Sequence, residues 1–130
     1  MFIPLRCDAP LYHRPWATIG VIALNIIVHL ALLGADDDTI AAGALFYDRF
    51  HPWTWITSVF LHADFIHLIG NMLFLWIFGL IVEGKIGWRR FLALYLGIAV
   101  GAGAFEQLIM IGAEGGSLGA SGVIFGLMAI

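Results

Sequence analysis

The chain alternates long apolar runs with short polar breaks, and the length of each run indicates the element it forms. Four runs stand out, at residues 16–33, 65–82, 91–111 and 120–130. They are continuous and lack the in-out alternation of barrel strands, so helices are predicted. A helix needs about 20 mostly apolar residues to cross a hydrocarbon core of about 30 Å. The first three runs meet that requirement with some tilt, whereas the fourth is about half a span. Asn25 and His29 are the strongly polar side chains of the first run. The segment between the first two runs carries Phe46, Tyr47, Phe50, Trp53, Trp55 and Phe60, too apolar a set for a solvated loop. Because Trp and Tyr favour the membrane–water boundary, residues 53–61 are expected to form a short interfacial helix in the outer leaflet, or a loop packed over the bundle, two compatible readings. Gly97/Gly101 and Gly122/Gly126 have the small-xxx-small spacing that lets helix backbones approach closely. Such packing is expected to bring the start of the fourth run against the second.

Composition turns this pattern into a membrane assignment. Of 130 residues, 62% are hydrophobic and 12% charged, against about a quarter charged in a typical soluble domain. A domain of about 150 residues hides only roughly 70% of its chain surface, so lipid must cover the remainder. The expected fold class is all-α, a polytopic membrane helix bundle truncated after about four transmembrane spans. Residues 1–15 are expected as an N-terminal tail and 16–130 as an incomplete membrane domain. The first run has no small-residue cleavage pattern at its end, so it is expected to be a retained span. A net charge of −3 without a basic stripe gives no indication of a nucleic-acid partner, and the single cysteine, Cys7, permits no intramolecular disulfide.

The cations orient the spans. Arg6 and Arg14 precede the first run, and Lys85, Arg89 and Arg90 separate the second from the third. The loop at 34–64 carries only Arg49, beside Asp36, Asp37, Asp38 and Asp48. The excess of positive charge on cytoplasmic loops therefore puts the N-terminus and the 83–90 turn inside, and the loops at 34–64 and 112–119 outside. The compact chain and short tail suggest a bacterial inner membrane.

Two polar clusters fall near the outer face. His67 and Asn71 are four residues apart and share one helix face, with His62 just before the span. Polar groups at membrane depth face a bundle interior or a wet cavity. The second cluster is Gly119-Ala120-Ser121-Gly122, opening the fourth run. Glycines there permit close approach of a substrate backbone, and a helix N-terminus offers free N–H groups to developing negative charge. A serine at that position is a nucleophile if a base reaches it, or simply an N-cap. His67 is alternatively a hydrogen-bonded bundle residue.

The stretch from His62 through His67 to Asn71, taken with Gly119-Ala-Ser121-Gly122, resembles the rhomboid intramembrane proteases. Glu83 also matches a recurring acidic position, and the likeness runs from about Trp53 to Ile130. The resemblance implies an intramembrane serine endopeptidase that hydrolyses a peptide bond in or beside a transmembrane protein substrate. Ser121 would be the nucleophile, with Gly119 and Gly122 in its motif. His67, Asn71 and the Ser121 N–H would form the oxyanion hole, and the aromatic loop would lie partly in the outer leaflet. Its partners would be transmembrane substrates and the lipid bilayer, and it would need no cofactor or metal, only water. The family activates its serine with a histidine on a later span, whereas the histidines here, at 13, 29, 51, 62 and 67, all precede Ser121. The chain as written is therefore expected to be inactive. It reads either as part of an active protease or as a non-catalytic relative that binds transmembrane segments; retention of Ser121 and the oxyanion candidates favours the first. The loop departs from the family's frequent Trp-Arg with Trp53-Thr54. A metal or haem site on His62, His67 and Asp64 lacks a familiar ligand spacing. A transport pathway along Asn25, His29, Glu106 and Gln107 lacks the repeated halves of many transporters.

Overall fold

The structure, a computed structural model, describes residues 11–130. Arg6, Cys7 and most of the expected N-terminal tail lie outside the described residues. Four helices form the bundle: α1 (Trp16–Ala31), α4 (Phe65–Ile86), α5 (Trp88–Ile109) and α6 (Ser121–Met128). Between α1 and α4 lie two short helices, α2 (Asp37–Gly43) and α3 (Thr54–Thr57), the latter continuing as a 3-10 turn over Ser58–Phe60. The 22 residues each of α4 and α5 reach about 33 Å, enough to cross a hydrocarbon core. Leu68, Leu75, Phe91, Tyr95, Val123 and Leu127 are buried where these helices meet. Ile27, Leu30, Ile66, Ile69, Phe105 and Leu108 point outward and exposed, an apolar exterior that only lipid satisfies.

The boundaries depart from the apolar runs for local reasons. Helix α4 continues past residue 82 because Glu83 is wholly buried against the start of α1. Its carboxylate accepts from Ala17 N at 2.8 Å, and from Thr18 N and Thr18 Oγ1 at 2.7 Å each. It thus binds first-turn N–H groups that α1 cannot pair internally and sits at the positive end of that helix. Pro15, the cap residue, supplies no side-chain bond there. Gly87 adopts φ +81° and turns the chain, so α5 starts at Trp88 rather than at residue 91. Tyr12 N and His13 N donate to Gly84 O at 2.8 and 3.1 Å, bringing the segment before α1 to the end of α4 that carries Lys85.

One packing expectation needs correction. Nothing lies within 4 Å of a Cβ built on Gly97 or Gly101, so that pair is no packing seam. The close approach of α5 and α6 occurs at Gly126, where a Cβ would overlap Ile98. The 53–61 segment is helical as expected, α3 running directly into the 3-10 turn. Trp53 is exposed on its outer side, while Thr54, Ser58 and Val59 are buried.

The outer end of α5 pins this loop. Trp55 Nε1 donates to Gln107 Oε1 at 2.7 Å, and Gln107 Nε2 donates to the carbonyls of Phe46 and Arg49. The hydroxyls of Tyr47 and Ser117 donate to Glu106 at 2.6 and 3.1 Å. Glu106 and Gln107 are therefore loop anchors, where the sequence suggested a possible transport lining. A two-residue antiparallel pairing, β1 (Leu45–Phe46) with β2 (Gly116–Ser117), adds a strand contact to the all-α bundle. It joins the aromatic loop to the segment that leads into α6.

Candidate active site

Asp64 caps α4, its Oδ1 accepting from His67 N at 2.7 Å. This fixes His67 in the first turn, with Asn71 one turn further along the same face. Opposite them, α6 begins at Ser121. The cap position belongs to Ala120, which makes no side-chain cap bond, so Ser121 is not the N-cap serine the sequence also allowed. Its hydroxyl makes no hydrogen bond among the described residues.

Gly119 sets the distance between the two helices. It adopts φ +110°, and a Cβ there would fall 2.8 Å from His67 Cε1, 2.9 Å from His67 Nε2 and 3.5 Å from Asn71 Nδ2. Only glycine satisfies both the left-handed backbone and the contact with the imidazole. Gly119 N donates to Ser58 O at 2.8 Å, so the aromatic loop also holds this turn in place. Ser58 is a positioning group that the sequence reading missed, since no motif marks a carbonyl. Gly122 rests in ordinary contact with Ala102, 3.8 Å from its built Cβ.

A cavity of about 450 Å³ opens beside these groups, lined by His67, Ser121, Gly122, Trp55, Ser58 and Glu106 among others. A second, apolar groove of about 330 Å³ runs between α4 and α6, along Gly70, Phe74, Ile124, Phe125 and Met128. Ser121 and His67 line both. Asn71 is buried, and its Nδ2 donor has no partner among the described residues. An unpaired buried amide costs about 1–3 kcal/mol.

His62 packs its ring edge-on to His67, with centroids 5.2 Å apart. It is buried, and neither ring nitrogen has a hydrogen-bond partner among the described residues. Desolvation first, and the neighbouring His67 second, push its imidazole down to about 4. Glu83, sixteen residues beyond His67, lies about 24 Å away along α4 and belongs to the α1 contact rather than to this site. Among the described residues, no three His, Cys, Asp or Glu side chains are arranged to hold an ion.

The Rhomboid domain pattern matches residues 49–130 of the chain. Rhomboid-like protein 11, chloroplastic, of Arabidopsis thaliana is 40% identical over 85 residues, 65% of this chain and 30% of the relative. RHOMBOID-like protein 5 of the same plant is 32% identical over 129 residues, 96% of this chain and 41% of the relative. The rhomboid protease GlpG of Serratia proteamaculans is 30% identical over 115 residues, 85% of this chain and 40% of the relative. The chain thus spans well under half the length of these relatives.

Proposed function

The chain belongs to the rhomboid family, whose members are integral to membranes, and from that premise we propose that it carries the nucleophile and oxyanion half-site of an intramembrane serine endopeptidase. Ser121 Oγ attacks the carbonyl of a peptide bond in or next to a substrate's transmembrane helix. The oxyanion that forms is met by Asn71 Nδ2, by a His67 ring N–H and by the Ser121 backbone N–H at the start of α6. Donors fixed in advance of the reaction stabilise such charge far better than mobile water. Gly119 and Gly122 keep the approach free of side chains, and the cavity admits the water that releases the acyl group. The observation that carries the reading is the buried, unpartnered Asn71 amide, beside the Gly119 turn and one turn from His67.

A serine hydroxyl needs a base to become a nucleophile. His67 is the histidine that lines the Ser121 cavity, and the reading employs it as a donor. None of the other four reaches this role, so the 130-residue polypeptide is without hydrolytic activity in this account. The N-terminus is cytoplasmic, with residues 1–15 as the tail, 16–130 as the membrane domain and a bacterial inner membrane as its setting. The aromatic loop and the Ser121 cavity then face outward.

The test is cleavage of a model transmembrane substrate in proteoliposomes, by this sequence extended to the length of a relative such as the Serratia protease. Ser121→Ala reduces cleavage to background, and Asn71→Ala slows it by about 10²–10³ with little change in KM. Full activity in either variant rejects the assignment.

A further inference from the structure

Glu106 is the acidic wall of the Ser121 cavity. Its two oxygens accept from neutral hydroxyls only, those of Tyr47 and Ser117. Among the described residues the one ion pair is Arg49 with Asp48, at 3.7 Å on the exposed loop, so none of their cations is paired with Glu106. Hydrogen bonds from Tyr47 and Ser117 hold the carboxylate in position without cancelling its charge. Water is thinned in a partly enclosed cavity, where such a charge acts more strongly than in bulk solvent. Trp55 and Phe125 line the same space, and aromatic rings accept ammonium and guanidinium groups. The loops at 34–64 and 112–119 carry the same sign in sequence, with Asp36, Asp37, Asp38, Asp48, Asp64 and Glu114 against Arg49 alone.

We propose that Glu106 is a charge-selecting residue of the Ser121 cavity, favouring peptide segments that place a lysine or arginine side chain beside the bond presented to Ser121. The inference rests on the reading of this cavity as the place where a substrate segment enters, but not on hydrolysis. The Glu106 carboxylate gives the entering cation a partner, while an acidic side chain at the same position meets like charge and is rejected. The acidic loops add a longer-range attraction that speeds encounter and that salt screens.

The experiment uses the 130-residue chain in nanodiscs and three fluorescent transmembrane peptides. They differ at a single residue on the outer membrane side: lysine, glutamine or glutamate. Lysine binds about tenfold tighter than glutamate, and Glu106→Gln reduces that ratio to about twofold. Tyr47→Phe removes the loop bond but keeps the carboxylate, and the lysine preference survives in it. Equal binding of the three peptides, or a preference unchanged in Glu106→Gln, overturns the inference. Loss of the preference in Tyr47→Phe overturns it too, by assigning the effect to loop geometry. Failure of all three peptides to bind rejects the cavity as a substrate site altogether. Selective binding without cleavage leaves charge selection standing and weighs only on the protease reading.

Discussion

His62 and Asn71 are both buried polar groups with atoms unpartnered among the described residues, yet their consequences differ. Asn71 is a neutral amide at every pH of interest; His62 is a base that its surroundings keep uncharged. Folding holds the His62 imidazole at about 4, below its ordinary 6.5. Between those values the unfolded chain takes up a proton that the fold refuses, so stability falls as pH drops from about 6.5 towards 4 and is unaffected by this group above that window. The loss is on the order of 2–3 kcal/mol. Reversible unfolding in mixed micelles at about pH 7.5 and pH 5 measures it, and His62→Leu should flatten the difference. An equal pH dependence in His62→Leu would assign the effect to another group. At this scale the sequence exposed the candidates by type and spacing: His67 and Asn71 on one face, Ser121 between glycines. It did not expose Asn71's lack of a partner, because that depends on what α6 and the aromatic loop bring to the site. The Ser58 carbonyl is likewise defined only by the folded backbone.

Among the elements, α1 depends on a neighbour for its start. Pro15 cannot cap it, and Glu83 does so from the far end of α4, 65 and 66 positions away in sequence. Glu83→Ala leaves two first-turn N–H groups and the Thr18 hydroxyl without an acceptor in a dry interface, and costs about 3–5 kcal/mol. Glu83→Gln keeps one accepting oxygen and costs about 1–2 kcal/mol. Unfolding curves of the two variants in micelles check the order; an unchanged Glu83→Ala midpoint contradicts the capping role. Helices α4 and α5 were legible because lipid demands continuous apolar runs of spanning length, whereas α1, expected as a span over 16–33, has 16 residues and reaches only about 24 Å. Their ends were less so, since Glu83 extends α4 beyond its apolar stretch and Gly87 starts α5 before the next. Glycine spacing misled at Gly97 and Gly101, since sequence periodicity does not say which face a neighbour occupies. The bonds from Tyr47 to Glu106 and from Trp55 to Gln107 span 59 and 52 positions. No local pattern announces such pairs.

The whole molecule joins two parts with different duties. At one end, Glu83 and the Gly84 carbonyl tie α4 to the start of α1 and the segment before it. At the other, Glu106, Gln107 and the β1–β2 pairing tie the aromatic loop to the turn that presents Ser121. The site therefore sits on α4 and α6 but is held by α5 and the loop, which makes its geometry a property of the bundle. The central claim is that Ser121 is a nucleophile whose oxyanion donors are His67 and Asn71, and whose base is none of the histidines at 13, 29, 51, 62 and 67. Mass-spectrometric mapping of a fluorophosphonate adduct tests this most directly, on the 130-residue chain and on a version extended to the length of a relative. The account predicts an adduct on Ser121 in the extended polypeptide and none in the 130-residue chain. An adduct on Ser121 of the 130-residue chain that disappears in His67→Ala would contradict it, by making His67 the base.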